Sequence, residues 1–104
     1  MSQEDLETAR FYIQSKTGSM VTRIRNIVNQ SMDLRCRLLA VGCIVESHPE
    51  DTALLERELT EMYRELEFLR EILRHLELDM EELVVHARRL IEIVEGSKRK
   101  GSIE

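Results

Sequence analysis

Tryptophan is absent from this chain of 104 residues, which contains only two phenylalanines and two tyrosines. A β-sandwich or barrel would need more aromatic and β-branched runs, each bounded by turn residues. One proline and four glycines leave few positions that interrupt a helix. Because charged residues make up 34% of the chain and leucine, glutamate and arginine are frequent, the composition favours an all-α fold. The length fits one domain.

Long hydrophobic runs are also missing. The longest one, residues 38–45, has eight residues, too few to span a bilayer, so we expect no membrane span. Cys36 and Cys43 are the only cysteines. On one helix their Cα atoms would be roughly 10 Å apart, beyond disulfide reach. They are typical of buried thiols in an intracellular protein, cytoplasmic or nuclear, and an intermolecular disulfide is the alternative.

Motifs for catalysis or cofactor binding are not found. The sequence has no glycine-rich phosphate loop, paired-cysteine zinc spacing or nucleophile elbow. Glu71 and His75, and likewise Glu82 and His86, are one helical turn apart. A metal site would need further inward carboxylates, so we interpret both pairs as helix-stabilising contacts. We therefore expect no enzyme activity, no catalytic residues, no cofactor and no metal.

The second half of the chain carries a heptad repeat. From Leu55 to Val94 an apolar residue recurs at alternating steps of four and three, as in a helix that packs along one side. The a sites are Leu59, Leu66, Leu73, Met80, Ala87 and Val94. The d sites are Leu55, Met62, Leu69, Leu76, Leu83 and Leu90. The pattern predicts a long helix whose a and d side chains are covered by other helices.

The start of this helix is predicted at Ser47. Ser47 and Glu50 fit a capping box, in which each side chain accepts a hydrogen bond from the other residue's amide. Pro49 would then lie in the first turn, where its missing amide hydrogen costs nothing. Asp79 could cap a restarted helix, but the unbroken heptads favour continuity.

The end of the helix is predicted near Glu95. Gly96-Ser97 provides a stop signal. We therefore divide the chain into a helical interaction domain, residues 1–96, and a disordered polar tail, residues 97–104.

An earlier amphipathic helix is predicted over residues 19–46, with a helical stretch over residues 3–16 before it. Thr17-Gly18-Ser19 either separates the two or lies within one helix, which would give an antiparallel hairpin of two nearly equal helices, 3–46 and 48–95. Gly18-Ser19-Met20 also resembles a cloning join, which would make the residues before it foreign to the natural protein. The apolar stripe of the earlier helix is Met20, Ile24, Ile27, Ser31, Leu34, Leu38, Val41 and Val45.

Charge differs in sign between the two main helices. Residues 16–45 carry five basic side chains and one acidic one, whereas residues 46–82 carry thirteen acidic and four basic side chains. Folding one helix back on the other pairs these charges together with the apolar stripes, which predicts antiparallel packing. Burial supplies the energy, about 1.5–3 kcal/mol per fully buried leucine or isoleucine.

Apolar residues outside the a and d sites point to a partner. Tyr63, Val84 and Ile91 occupy e sites, and Ile72 and Ile93 occupy g sites. A two-helix hairpin covers one side only, so the surplus indicates a bundle of three or more helices. The predicted oligomer or partner interface is Leu66, Leu69, Ile72, Leu73, Leu76, Met80, Leu83, Val84, Leu90, Ile91 and Ile93.

These features predict a non-catalytic protein–protein interaction module, such as a scaffold, adaptor or assembly subunit. We expect it to form a homo-oligomer, with a dimer favoured, or to join a hetero-complex. The alternative is a monomeric regulator that sequesters a partner helix in an apolar groove. Parallel and antiparallel association stay open, since only Glu65 and Arg70 would make an attractive g-to-e pair in a parallel dimer.

Nucleic-acid binding is a third class. Arg23, Arg25, Arg35 and Arg37, with the basic run 98–100, could contact phosphates. The net charge of −5 and the acidic helix beside the basic one argue against it.

Overall fold

A computed structural model describes the backbone of residues 3–103 and the side chains of residues 3–99. It contains α1, Gln3–Ser47, and α2, Thr52–Ile103, and no strand over the described backbone. The two helices, 45 and 52 residues long, pack antiparallel as a helical hairpin. This confirms the predicted all-α class, and the ion pairs described below confirm the antiparallel direction.

The first helix runs through Thr17-Gly18-Ser19 without a break. The Thr17 hydroxyl donates to the Gln14 carbonyl at 2.9 Å, and the Thr22 hydroxyl donates to the Gly18 carbonyl at 3.2 Å. No described glycine adopts a positive φ, so Gly18 has ordinary helical geometry. Of the two arrangements that the sequence left open, the structure therefore has the single long helix.

The turn between the helices lies later than predicted. Ser47 belongs to α1, and the Asp51 side chain caps α2 by accepting a hydrogen bond from the Leu54 amide at 3.1 Å. The predicted capping box of Ser47 and Glu50 is therefore wrong. Proline disfavours helical geometry in the residue before it, so α1 ends next to His48. Pro49 then lies in the turn, and the chain re-enters a helix at the next strong N-cap residue, Asp51.

The far end of α2 also differs from the prediction. The helix passes Asp79 without interruption, as expected, but it continues through Gly96-Ser97 to Ile103. Glycine ends a helix by taking a left-handed conformation, and Gly96 does not take one. The predicted stop near Glu95 is therefore wrong. Residues 97–103 of the predicted tail are helical, and Glu104 lies outside the described residues.

Contacts within the chain group into two compact units. The first comprises Met1–Thr22 and Leu76–Glu104, and the second comprises Arg23–His75 with the turn between the helices. In the first unit, Ala9 and Ile93 are buried, and the polar Asp79 is buried with them. In the second unit the packed side chains are only half-buried.

Burial follows a four-three spacing on both helices, but along a different line from the predicted one. On α1 the packed residues are Leu6, Ala9, Ile13, Lys16, Met20, Arg23, Ile27, Gln30, Leu34, Arg37, Val41 and Ile44. On α2 they include the d sites and the g sites Glu58, Glu65, Ile72, Asp79, His86 and Ile93. Of the a sites, Leu66 and Ala87 are also half-buried, whereas Leu59, Leu73, Met80 and Val94 are exposed. The seam of α2 is therefore centred on d and g sites and not on a and d sites.

Candidate interaction surface

The second unit places an arginine between two carboxylates in its helix–helix seam. Arg37 of α1 donates from Nη1 to Glu58 at 3.1 Å and from Nε to Glu65 at 2.5 Å. Both glutamates are largely buried. The hydrogen bonds that Arg37 donates to these carboxylates, the one to Glu65 foremost, raise the pKa of Arg37 above its ordinary value. The charged g sites of α2 are thus matched by a charged site on α1.

The first unit repeats this arrangement with a lysine. The Lys16 ammonium lies 3.1 Å from the Asp79 carboxylate and also pairs with Glu82. The hydrogen bonds that the ammonium donates to Glu82 and then to Asp79 raise the pKa of Lys16 above its ordinary value. Beside this cluster, the Tyr12 and His86 rings stack with their centroids 4.8 Å apart.

These contacts test the two predicted glutamate–histidine pairs. Glu71 and His75 do pair, at 3.6 Å across one turn, as expected. Glu82 instead pairs with Lys16, and His86 stacks on Tyr12. The interpretation of Glu82 and His86 as a mutual pair is therefore not what the structure shows. Over the described residues, no group of three or more histidine, cysteine or acidic side chains could hold a metal ion.

Turning charged g sites inward leaves an apolar side of α2 outside the seam. The a sites and the apolar e sites lie next to each other on that side. Leu59, Leu73, Met80 and Val94 are exposed at a sites, and Tyr63 is 71% exposed at an e site. We call this surface the α2 stripe and define it as Leu59, Tyr63, Leu66, Leu73, Met80, Val84, Ala87, Ile91 and Val94.

A groove follows the α2 stripe in the second unit. It has a volume of about 260 Å³ and is lined by Leu34 of α1 together with Leu59, Met62, Tyr63 and Leu66 of α2. All five side chains present carbon surface to it. Its shape and lining suit an apolar side chain from another helix.

The first unit carries two shallower depressions on the same track of α2. Met80 and Val84 line one of them with Glu77 and Glu81. A second one is lined by Leu90, Ile91, Val94, Glu95 and Lys98. Apolar floors with charged rims are the usual composition of a protein-contact surface.

The predicted interface residues divide into two groups. The seam takes Leu69, Ile72, Leu76, Leu83, Leu90 and Ile93, which are half-buried or, for Ile93, buried at 4% exposure. The α2 stripe contains Leu66, Leu73, Met80, Val84 and Ile91. The first group packs within the chain, whereas Leu73, Met80, Val84 and Ile91 of the second group are exposed and Leu66 is half-buried.

On α1, one predicted apolar track lies outside the seam. Ile24, Leu38 and Val45 are about half exposed, while Arg23, Arg37 and their heptad equivalents take the packed positions. Val28, which flanks the predicted stripe, and Val21, which the sequence reasoning missed, are also exposed on this helix. One feature of the sequence could have indicated which track of α1 packs against α2. It is the row of polar residues at seven-residue spacing, Lys16, Arg23, Gln30 and Arg37.

Other residues singled out from the sequence lie apart from this surface. Cys36 and Cys43 are exposed and form no disulfide, so the expectation of buried thiols is wrong. They occupy the outer side of α1, away from its packed track. Arg25 and Arg35 are exposed, whereas Arg37 is held by the two glutamates. Neither described helix has an apolar segment long enough to cross a bilayer.

Comparison of the chain with models of protein families, with curated proteins and with solved structures finds no match.

Proposed function

We propose that this chain is a non-catalytic protein–protein interaction module that associates through the α2 stripe. The observation that carries this proposal is the division of heptad tracks. Ion pairs occupy one side of the seam, and a row of large apolar side chains stays exposed on the neighbouring side of α2. A helix that needed only its partner within the chain would have no use for this second apolar row.

The proposed role is that of a scaffold, adaptor or assembly subunit. The stripe has the character of a contact surface, since leucine, valine and isoleucine make up most of it, with one tyrosine and one methionine, and charged residues lie beside it. Self-association of two hairpins would place four helices around a shared apolar centre, the arrangement of a four-helix bundle. We favour this over assembly into a hetero-complex because it needs no component beyond the chain.

The test is the absolute mass in solution, measured by light scattering over a dilution series with and without reductant. We expect a dimer that survives reduction. Leu73→Asp should give a folded monomer, because Leu73 is 42% exposed in the single chain but its carboxylate replacement would be buried in the dimer. Val85→Asp is the matched control, since Val85 is exposed and lies off the stripe, and it should leave the dimer intact.

A second substitution separates association from folding. Leu69 lies in the seam, so Leu69→Asp should unfold the hairpin, whereas Leu73→Asp should retain its helical circular dichroism. A wild-type chain that is monomeric at every concentration would contradict self-association. Unchanged mass in Leu73→Asp would remove the α2 stripe from the interface.

The groove in the second unit supports a second candidate, a monomeric regulator that sequesters a helix of another protein. Such a regulator would place one apolar side chain of its target between Leu34 and Tyr63. It predicts a stable monomer in the mass measurement. Tyr63→Glu would then abolish capture of the target while the mass stayed unchanged, because Tyr63 lines the groove and is 71% exposed.

A further inference from the structure

We infer that the second unit binds the second unit of another copy face to face, about a two-fold axis parallel to its helices, so that α1 of each copy lies on α2 of the other. This inference rests on the proposed function and adds α1 to the surface through which the chain associates. All of the residues involved lie within Arg23–His75. The two sides of this unit, its charge and the levels of its residues support the arrangement.

One side of the second unit is apolar on both helices. Leu34 of α1 and Met62 of α2 belong to the seam and also line the groove. Beyond each of them, on the groove side, lies one further track at seven-residue spacing. We call these two tracks the two-helix face: Ile24, Ser31 and Leu38 of α1, and Leu59, Leu66 and Leu73 of α2. Leu66 is half-buried and the other five are exposed.

The opposite side of the same unit is polar. Over the same length, its tracks carry Asn26, Asp33, Ala40, Glu61, Phe68 and His75. Phe68 is the one large apolar residue among these six. Two helices with one apolar and one polar side form half of a two-layer helical structure. The layer that covers the apolar side must be two helices wide, because both helices contribute to it.

A second copy has the size that this face needs. The helices of the second unit are about 36 Å long and together about 20 Å wide. Contact over the whole face would cover on the order of 700 Å² of each copy, close to the roughly 800 Å² per partner of a stable interface. One added helix would cover about half of that area.

Charge favours an axis parallel to the helices. Within the second unit, α1 carries four basic and two acidic residues, whereas α2 carries six acidic and four basic residues. The parallel axis places α1 of each copy on α2 of the other, which brings opposite net charges together. An axis across the helices would place α1 on α1 and α2 on α2, which brings like charges together.

The parallel axis also fixes which residues meet. Arg37 of α1 reaches both Glu58 and Glu65, which sets residue 35 level with residue 63. Rotation about this axis moves no residue along it, so residues that are level within one hairpin are level between the copies. The pairs that meet across the face are Ile24 with Leu73, Ser31 with Leu66, and Leu38 with Leu59.

Side-chain size favours the same axis. The parallel axis sets the small Ser31 against the large Leu66. An axis across the helices through the middle of the face would set Ser31 against Ser31 and Leu66 against Leu66. Large side chains that face small ones keep two helices at an even separation.

Arg35 and Tyr63 meet at the border of the face. Both are exposed, Tyr63 to 71%. In the dimer the Arg35 guanidinium of one copy lies against the Tyr63 ring of the other as a cation–π contact, which the axis repeats. The remaining pairs along this border are Gly42 with Glu56 and Val28 with Arg70. No like charges therefore meet there.

Disulfide trapping tests the arrangement directly. Cys36 and Cys43 are first replaced by serine, which their exposure permits. Leu38→Cys and Leu59→Cys chains carrying different mass tags are then mixed and oxidised, and we expect a cross-link between the two kinds of chain. Leu39→Cys is the matched control for Leu38→Cys, since Leu39 is 61% exposed but lies off the face, and it should give none. A dimer without the cross-link between positions 38 and 59 overturns the inference while self-association stands.

The contribution of α1 can also be measured without cysteine chemistry. Leu38→Asp should give a folded monomer, because Leu38 is 53% exposed in the single chain and would be covered in the dimer. Leu39→Asp should leave the dimer intact. If Leu73→Asp dissociates the dimer and Leu38→Asp does not, α2 alone carries the association and the inference is wrong. A wild-type monomer overturns the inference together with self-association.

The border contact has its own readout. Arg35→Gln should weaken the wild-type dimer by about five-fold or more, because the axis makes the contact twice. In a Tyr63→Leu background the same substitution should leave the affinity unchanged, since the ring that it contacts is gone. An equal loss in both backgrounds would show that Arg35 does not meet Tyr63 and would overturn the arrangement.

Discussion

The Lys16 ammonium of α1 lies 3.1 Å from the carboxylate of Asp79, which is buried to 5% exposure in α2. The two residues are 63 positions apart in the chain, so this contact forms only when the helices pack. It replaces two apolar side chains that a simple heptad seam would hold at this level. The pair therefore bears on stability, on pH dependence and on register.

Removing one member of this pair should cost more stability than removing both. Lys16→Met leaves the buried Asp79 carboxylate without the ammonium, whereas Lys16→Met/Asp79→Leu replaces the pair by apolar groups, which is often neutral. We expect the single variant to have the lower melting temperature. Arg64→Met is the control, since its pair with Glu61 is exposed and should contribute little. A double variant no more stable than the single one would contradict this.

The same lysine makes stability sensitive to alkali. Its pKa is raised above the ordinary value of 10.5 by Glu82 and Asp79. A group whose pKa is higher in the folded state stabilises below its unfolded pKa, and that contribution is lost as the pH rises through the folded value. The difference in melting temperature between wild type and Lys16→Met should therefore be constant from pH 6 to about pH 9 and shrink above about pH 10.5. A difference that is flat to pH 12 would contradict the assignment.

Replacing Asp51 should lower the free energy of unfolding more than replacing Ser47, because Asp51 is the residue that caps α2. Asp51→Ala removes the acceptor of the Leu54 amide and should lower the free energy of unfolding by about 0.5–2 kcal/mol. Ser47→Ala should change it by much less, because Ser47 lies in the last turn of α1. Chemical denaturation of both variants measures this. A larger loss of stability in Ser47→Ala than in Asp51→Ala would support the capping box of Ser47 and Glu50 instead.

Replacing either of two glycines inside α1 by alanine should stabilise the folded chain. A Cβ added at Gly18 or Gly42 would meet no atom within 4 Å, and neither has a positive φ. Gly18→Ala and Gly42→Ala should each therefore raise the free energy of unfolding by about 0.5–1 kcal/mol. Denaturation measured at a concentration where the chain is monomeric tests the folded chain alone. A loss of stability at either site would show that its helical geometry differs from the one described.

The helix content and pairing direction were predictable because they depend on features that the sequence displays directly. Leu69 and Leu76 recur at the helical period and do lie in the seam. The opposite charges of the two helices indicated the antiparallel direction, which Arg37 and Glu58 realise.

The same reasoning could not predict which side of α2 packs against α1. A hydrophobic pattern places Leu73 inside and Asp79 outside, yet Leu73 is exposed and Asp79 is buried. Burying a carboxylate is favourable only when a cation from a distant segment meets it. The identity of that cation, Lys16, depends on the register between two helices and not on the spacing within either. The turn was misplaced for a related reason, since the effect of Pro49 on the residue before it outweighed a good capping pattern.

The separation of the two tracks on α2 has an evolutionary consequence. Substitutions at Leu73 or Met80 change the exposed surface of α2 without touching the contacts that hold α1 against α2, while substitutions at Lys16 or Asp79 change those contacts and leave that surface as it is. Selection can therefore act on the surface and on folding at different residues. A duplicated copy of this chain could change its exposed surface through a few substitutions at the exposed a and e sites and still keep its hairpin.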